Sequence, residues 1–476
     1  MRWPTQAADP GVLVSLRDIV LFAVILGGIP FILRRPYIGV LYWTWLSLMN
    51  PHRLSYAAFD FQFAQIIAVA TFAGILFTKD ERRWKGGPEV YVLIVLLVWM
   101  SVTTLFALEP DHAFELWKQV MKVQVMTFVA LLVLHSRRHI ELFVWALALS
   151  VGFYGVKGGL FTIITGGNFH VLGPAGSFIE DNNALALATV MTIPLFYHLF
   201  TETKQRLIKL GLAAAMVLCA FSVLGSYSRG ALLAIGAMGA FLWLHSRNKL
   251  LFGAAIAVLV PLLLAFMPEG WDARMSTIVE YQGEGSAESR LATWGMLFRI
   301  ANDQFFGAGF APYTRKVFDI YMPEWPTLHS AHSIYFQLLG EHGWIGLALF
   351  LLMWFLVWRC SRWIVKNTRD RSDLAWARSL SSMIQVSLAG FFVGGAFLNL
   401  AYWDLPYYEL VALVLVRDLV RRQLAAESVG PHAEPRESPG RATTRSAMAG
   451  TADGGQASKL GESERDGERA HGSRSN

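Results

Sequence analysis

Three basic residues are the strongest candidates for a catalytic or anion-binding role: Arg229, Arg290 and His332. A guanidinium can donate two parallel hydrogen bonds to an anionic group such as a phosphate, and a histidine titrates near neutral pH, which suits a general base. Arg229 lies in a short connection between two apolar runs, and His332 comes just before the apolar run 335–357. We therefore predict an anion clamp and a base at one face of a membrane. A snorkelling arginine that ends a helix and a histidine that caps one are the alternatives.

Weaker candidates accompany these three residues. Arg274 lies in the long connection 268–333 and adds another cation, and Lys157 interrupts an apolar run. A lysine within a membrane span is costly, and for that reason it is a functional candidate. His329 stands near His332 in the chain and is an alternative base. These two histidines lack the further ligands of a metal site, and no nucleotide-binding glycine motif is present, so we predict no metal and no cofactor.

The elements that must position these residues follow from the composition. Of the 476 residues, 54% are hydrophobic and only 16% are charged, and the mean hydropathy is +0.41. An average soluble domain has roughly 25% charged residues, so the composition excludes an ordinary soluble enzyme and a disordered scaffold. The chain contains repeated apolar runs of about 20 residues. Within a bilayer, runs of this length must be helices, because a helix gives every backbone amide a hydrogen-bond partner. The predicted fold class is therefore an all-α polytopic membrane protein.

Apolar runs long enough to cross a bilayer predict about 12–13 transmembrane helices. The predicted spans are 18–33, 37–49, 61–78, 89–107, 119–135, 140–163, 183–200, 207–226, 230–245, 250–267, 335–357, 380–400 and 407–420.

Lysine and arginine determine the predicted orientation. Alternate connections are rich in these two residues, and the positive-inside rule assigns them to the cytoplasm. We attribute the net charge of +6 to these loops and predict no nucleic-acid partner. The opposite connections, including the long loop 268–333, then face outward. Within that loop, residues 289–307 have the apolar spacing of an amphipathic helix at the membrane face.

The chain divides into two predicted regions. Residues 1–422 form a transmembrane domain that includes the long outward loop with its short helices. Residues 423–476 contain no aromatic residue and much Ser, Gly, Glu and Arg. A segment of this composition cannot bury a hydrophobic core, so we predict a disordered cytoplasmic tail.

The order of the outward motifs resembles the O-antigen ligase and O-antigen polymerase superfamily of bacterial inner-membrane proteins. The stretch 34–54 looks more particularly like the branch of O-glycosylation ligases associated with exosortase systems. The resemblance covers roughly residues 15–422. It is carried by Ser228-Arg229-Gly230, Arg290 with Trp294, Phe306-Gly307-Ala308-Gly309, Ala331-His332-Ser333 and Gly343-Trp344-Ile345-Gly346.

The resemblance implies a metal-independent, inverting glycosyltransferase with its active site at the periplasmic face of the inner membrane. The implied donor is an oligosaccharide on undecaprenyl diphosphate, and the acceptor is a hydroxyl of a protein, a lipid or another glycan. Carried over by motif, Arg229 and Arg290 bind the diphosphate, and His332 activates the acceptor hydroxyl within a periplasmic catalytic loop. His329 stays an alternative base. Ser333 follows His332 where asparagine is common in the family.

Two other functions are open at this point. One is a polymerase that extends a glycan on its own lipid carrier. The other is a flippase for lipid-linked oligosaccharides, which needs polar groups along a path through the membrane. Except for Lys157, the notable charges lie along one outer face, which favours surface chemistry. Arg274, Lys157 and His329 are the further candidates for binding the substrate.

Overall fold

The computed structural model describes residues 15–55, 61–79, 82–245, 249–250, 253–254, 257, 261 and 285–428. Within these ranges the chain forms helices and no strand. The α-helices of the described residues are α1 Leu16–Arg34, α2 Pro36–Met49, α3 Phe63–Phe77, α4 Pro88–Leu105, α5 Pro110–Val133, α6 Arg137–Ile164, α7 Asn182–Glu202, α8 Arg206–Gly225, α9 Arg229–His245, α10 Gly285–Asp303, α11 Arg315–Tyr321, α12 Ile334–Asn367, α13 Ala375–Gly394 and α14 Asp404–Ser428.

Membrane-spanning length is common among these helices. In the part of the chain that is described, eight helices are long and apolar enough to cross a membrane, and two shorter apolar helices accompany them. The predicted all-α polytopic fold class is thereby confirmed. Most of the predicted span 250–267 and the tail beyond Ser428 lie outside the described residues, and α14 continues a few residues past the predicted end of the transmembrane domain at 422.

The helix ends have local causes in the sequence. Ser15 and Asp18 form a reciprocal capping box that starts α1, an arrangement that satisfies two otherwise orphaned amides. Pro36, Pro88 and Pro110 stand at the first turn of α2, α4 and α5. Proline is favoured there because its ring has a helical φ and its missing N–H has no intrahelical partner to lose.

Small residues let α6 and α8 approach closely. A Cβ added at Gly159 would overlap the carbonyl oxygen of Leu218, and one at Gly155 would lie 2.5 Å from the Cys219 sulfur. Membrane helices associate through such close packing because lipid tails are as apolar as the side chains and give no hydrophobic drive. The α6–α8 contact therefore depends on the absence of side chains along one stripe.

Helix α12 is broken near its outer end at Gly343. This residue has φ 67° and ψ −172° inside an otherwise helical run, a conformation that is essentially restricted to glycine. A Cβ there would also lie 2.8 Å from the carbonyl oxygen of Phe305. The indole of Trp99 on α4 donates to the carbonyl of His342 at 2.9 Å. The outer segment of α12, residues 334–342, thus packs separately from the longer inner segment.

The described part of the loop that is predicted to face outward, residues 285–333 (the outward loop below), has a small hydrophobic core of its own. Its buried members, at most 1% exposed, are Met296, Leu297, Ile300, Ala308, Val317, Phe318, Met322 and Ala331. The backbone amides of Ala308 and Gly309 donate to the carbonyls of Gly340 and Glu341 at 2.8 and 2.9 Å. This core attaches α10 and α11 to the outer segment of α12.

The predicted amphipathic helix is present as α10, which starts before residue 289 and ends at Asp303. Leu291 and Phe298 expose 50% and 45% of their surface along it, and Phe305, just after its end, exposes 68%. Phe298 also meets the exposed Trp344 of α12 edge to face, with ring centroids 5.8 Å apart. An apolar face of this kind suits a helix lying in the headgroup region, and its position in the membrane stays a prediction.

We expect Gly159→Ala to prevent normal accumulation of the folded protein, because the new methyl group would overlap backbone rather than a movable side chain. Gly211→Ala on α8 is the matched control, since a Cβ there has nothing within 4 Å. The yield and thermal unfolding of the detergent-purified protein provide the measurement. Equal yield and unfolding temperature in the two variants would contradict the close packing of α6 and α8.

Candidate functional site

The turn that carries Arg229 is held by its neighbours. Arg229 is the first residue of α9 and is half-buried. The buried Ser228 precedes it, and its hydroxyl accepts from the amide of Ala231 at 3.2 Å. Tyr227 has a left-handed φ of 57°, and its hydroxyl donates to the carbonyl of Gly167 at 2.6 Å. The Arg229 side chain therefore extends from a fixed backbone at a helix N-terminus, where the helix dipole favours binding of an anion.

The N-terminus of α7 lies against the same turn. The side-chain amide of Asn182 donates to the carbonyl of Ser226 at 2.6 Å. Asp181 caps α7 by accepting from the amides of Asn183 and Ala184 at 2.9 and 3.0 Å. This is the ordinary N-cap role of a short polar residue at a helix start. The cap also holds the exposed carboxylate of Asp181 at the outer end of α7.

Arg290 is placed by the docking of α10 on the His332 segment. Arg290 is half-buried and lies about one turn before Trp294. The indole of Trp294 donates to the carbonyl of Ala331 at 2.6 Å. Its ring also stacks on Phe336 of α12, with centroids 4.7 Å apart and an interplanar angle of 5°. Two contacts thus join α10 to the residues on either side of His332.

His332 itself has a left-handed backbone with φ 43°. For a non-glycine residue this conformation costs on the order of 1–3 kcal/mol and persists only where the surroundings determine it. The surroundings here include Ser330, whose hydroxyl accepts from the Asn399 side chain at 2.6 Å. Ser333 is buried and caps α12. The imidazole is therefore presented from a strained and anchored segment, which is typical of functional positions.

The electrostatic surroundings keep this imidazole neutral. Burial lowers the pKa of His332 below its usual 6.5, and the positive charge of Arg290 lowers it further. His329 acts in the same direction with a smaller effect, while the carboxylate of Asp181 opposes both by raising the pKa. A neutral imidazole keeps a lone pair that can accept a proton. Arg290, His329 and Asp181 are therefore the charged or titratable groups whose fields reach His332.

Arg229 reaches the same outer end of the bundle through the turn between α13 and α14. A Cβ at Gly230 would lie 3.6 Å from the Cβ of Phe397. A Cβ at Gly395 would lie 2.9 Å from Ile334 on α12. These two close approaches connect the Arg229 turn to the start of α12, directly after His332.

The other predicted binding residues have different positions. His329 Nε2 forms a hydrogen bond with the Thr327 hydroxyl at 2.7 Å. Its ring packs edge to face on Trp325, with ring centroids 5.9 Å apart. Lys157 is exposed on α6, where no hydrogen bond or ion pair to the described residues holds it, and it stays a predicted binding residue. Arg274 lies outside the described residues. Among the residues that the structure describes, no three His, Cys, Asp or Glu side chains form a group able to hold a metal ion.

Two further arginines of the outward loop are used by the fold. Arg299 donates to the carbonyl of Tyr321 at 2.5 Å. Arg315 donates to the carboxylate of Asp319 at 2.6 Å and to the carbonyl of Trp325 at 2.8 Å. These contacts connect α10, α11 and the segment that follows. Arg299 and Arg315 thus have a structural role that differs from the role predicted for Arg290. The spacing of the arginines in the sequence does not reveal this difference.

Sequence reasoning missed a buried polar network behind His332. Glu341 and His342 have no exposed surface, and Tyr402 is 1% exposed. Tyr402 Oη lies 2.5 Å from Glu341 Oε2 and 2.9 Å from His342 Nε2. A carboxyl group and an imidazole inside an apolar run were the available signal, because such groups are costly within a membrane and are kept for a reason.

Two family models match parts of the chain. Residues 214–351 match the O-Antigen ligase family. The O-antigen ligase match contains Arg229, Arg290 and His332, and it supports glycosyl transfer of a ligase or polymerase type at a membrane. A second match covers residues 16–204 and is to a family of unknown function, DUF5935. No curated protein matches the chain.

We expect Trp294→Phe to loosen the His332 segment while keeping the aromatic stack on Phe336. The variant loses one hydrogen bond, which is worth roughly 0.5–1.5 kcal/mol of net stability. Hydrogen–deuterium exchange of the purified protein should therefore rise around Ala331.

Trp344→Phe is the matched control for this experiment. Its indole donates to the Asn302 side chain at 3.2 Å near the far end of α10, so exchange around Ala331 should stay at the wild-type level. Equal protection of that segment in both variants would show that the Trp294 bond does not hold it.

Proposed function

We propose that this protein transfers an oligosaccharide en bloc from undecaprenyl diphosphate to an acceptor hydroxyl at the periplasmic face of the bacterial inner membrane. The observation that carries the proposal is the segment of His332. A neutral imidazole on a strained, anchored backbone lies within the field of Arg290, inside the residues that match the O-Antigen ligase family. Membrane lipid, the lipid-linked donor and a protein or lipid acceptor are the partners.

In the proposed reaction the acceptor oxygen attacks the anomeric carbon from the side opposite the diphosphate. The new glycosidic bond forms as the bond from that carbon to the phosphate oxygen breaks, and the electron pair leaves with the diphosphate. The configuration is therefore inverted. The hydroxyl proton passes to the imidazole of His332, which later releases it to water. Proton transfer to a positioned base typically contributes about 10²–10⁴-fold to the rate.

Arg229 and Arg290 supply the electrostatic part of the mechanism. Negative charge grows on the diphosphate as the bond breaks, and preplaced donors stabilise that charge without reorganising. A guanidinium suits the task because its planar fork matches phosphate oxygens. Arg290 has a second effect, since its charge helps to keep His332 unprotonated before the reaction. Asp181 has the opposite effect and stabilises the imidazolium that forms.

The polymerase is the second candidate, because the O-Antigen ligase match supports a ligase and a polymerase equally. It would use the same donor and differ only in its acceptor, a glycan that is still on its lipid carrier. The stretch 34–54 favours a protein acceptor through its resemblance to O-glycosylation ligases of exosortase systems. We keep Lys157, His329 and Arg274 as proposed contacts to the donor or the acceptor.

We expect His332→Ala to reduce transfer by about 100-fold or more, because the acceptor loses its base. The assay uses the full chain in vesicles, with an undecaprenyl-diphosphate-linked oligosaccharide supplied at the outer face and the product separated from the carrier lipid. His329→Ala tests the alternative base, and it should reduce transfer much less than His332→Ala, because we propose His329 only as a contact to the donor or the acceptor.

Each alternative gives a distinct result in this assay. Activity lost in His329→Ala and kept in His332→Ala would make His329 the base. Product that stays on the carrier lipid would indicate the polymerase. Movement of the donor across the membrane without any product would indicate a flippase and would contradict the proposed function.

The pH dependence of transfer should follow the charges around His332. The pKa of His332 is lowered, so activity should persist below pH 6.5 and fall as the imidazole becomes protonated. Asp181→Asn removes the charge that raises this pKa and keeps a side chain that can cap α7. The acid limb of the rate profile should therefore move to lower pH.

Glu180→Gln is the control for the pH experiment. Its carboxylate is exposed and accepts from the amide of Gly176 at 2.8 Å. Its removal should leave the acid limb in place. An Asp181→Asn profile identical to the wild-type profile would contradict the electrostatic coupling of Asp181 to His332.

A further inference from the structure

One face of α12 changes from apolar to cationic along its length. Leu352 and Phe355 lie on this face and expose 44% and 58% of their surface. Arg359, Arg362 and Lys366 follow on the same face and are exposed, because helical residues three and four positions apart lie side by side. Such a change is expected where a helix passes from the hydrocarbon of a membrane into the headgroup layer.

The length of the inner segment of α12 agrees with this position. Trp344 is exposed and directly follows the break at Gly343, and tryptophan is enriched at membrane boundaries. At 1.5 Å per residue, Arg359 lies about 22 Å and Lys366 about 33 Å along the helix from Trp344. The hydrocarbon layer is about 30 Å thick. The cations therefore lie at the level of the far headgroup layer when Trp344 lies at the near one.

Aromatic rings hold two arginines at this level. The Cζ of Arg359 lies 6.0 Å from the centroid of the Phe355 ring. Arg421 of α14 joins the same region, because its Cζ lies 5.1 Å from the centroid of the Trp363 ring of α12. A ring face attracts a guanidinium without an acidic partner. We call the following four residues the basic cluster: Arg359, Arg362, Lys366 and Arg421.

The carboxylates at this end of the helices pair with other arginines. Asp418 of α14 accepts from Arg422. Arg371 is paired with Asp373 at 2.8 Å and with Glu427 at 2.6 Å. No ion pair within 4.0 Å joins a carboxylate of the described ranges to the basic cluster. The cluster thus combines four positive charges that the described part of the chain does not neutralise.

The dipole of α12 accounts for only one member of the cluster. The carbonyl groups at a helix C-terminus attract cations, but this effect falls off within the last turn. Helix α12 ends at Asn367, and Lys366 lies in its last turn. Arg359 and Arg362 lie further from that end, so the carbonyls of their own helix do not explain them.

We propose that the basic cluster binds the headgroup of an anionic phospholipid. Phosphate oxygens accept strong hydrogen bonds from guanidinium groups, and several cations directly past a membrane span attract anionic lipids. The acyl chains of the bound lipid lie along the exposed side chains of Leu352 and Phe355. This site is at the opposite end of α12 from His332, and the proposal does not depend on the proposed function.

The test measures lipid binding by the full chain in detergent, with native mass spectrometry to count the lipids that stay bound. Phosphatidylglycerol should bind more tightly than phosphatidylcholine with the same acyl chains. The double variant Arg359→Gln, Arg421→Gln should bind phosphatidylglycerol about 25-fold more weakly than the wild type. This corresponds to about fivefold for each cation near a membrane surface.

Two further double variants serve as controls. Arg138→Gln with Lys204→Gln removes the same charge from two other exposed residues in predicted cytoplasmic loops, and it should keep the wild-type affinity. Arg359→Lys with Arg421→Lys keeps the charge but lacks the planar fork of a guanidinium, so it should lose less affinity than the glutamine variant. The thermal unfolding of each variant without added lipid checks that it is folded.

Three results would overturn the proposal. The first is equal affinity of the wild type for phosphatidylglycerol and phosphatidylcholine, which would indicate a lipid-facing surface without headgroup selection. The second is an equal affinity for phosphatidylglycerol in the glutamine variant and in its charge-matched control. The third is complete displacement of the lipid by an equal concentration of inorganic phosphate, which would indicate a site for a free anion.

Discussion

The hydrogen bond from the Trp294 indole to the carbonyl of Ala331 is the contact on which the outward site depends. It spans 37 positions of the chain and joins α10 to the segment of His332. The stacking of the same ring on Phe336 fixes its direction. Because Arg290 lies about one turn earlier on α10, this bond also brings the guanidinium near the imidazole. This bond and the Phe336 stack together set the relation between the cation of Arg290 and the base.

The break at Gly343 is the second constraint. It allows the outer segment of α12 to depart from the axis of the longer inner segment. Gly307 packs against the break, and a Cβ at Gly307 would lie 2.6 Å from the amide nitrogen of Gly343. Glu341 and His342 then point into protein instead of lipid and share their hydrogen bonds with Tyr402. A low-dielectric interior strengthens such a network when every member is satisfied. The polar interior thereby stiffens the part of α12 that begins directly after the base.

Several features of the site could be predicted from the sequence, and others could not. The outward motif order singled out Arg229, Arg290 and His332, and the O-Antigen ligase match covers all three. The cap at Asp181 is local, because its carboxylate accepts from the amides of the next residues of its own helix. Its effect on His332 could not be foreseen, since it depends on α7 and the outward loop meeting in space. No local pattern distinguishes an arginine that faces the base from those that hold loop carbonyls.

The sequence by itself determined the helical, membrane-spanning fold class, the approximate ends of several helices and the separation of basic from nearly cation-free loops. These properties arise from apolar run length, prolines, caps and charge, all of which act over a few residues. Tertiary structure alone decided which outward residues meet and which are used elsewhere. It placed Arg290 and Asp181 close enough for their charges to shift the pKa of His332. It also brought the Arg299 guanidinium into a hydrogen bond with the carbonyl of Tyr321. The physical reason is that these contacts join residues far apart in the chain, where neither hydropathy nor spacing carries information.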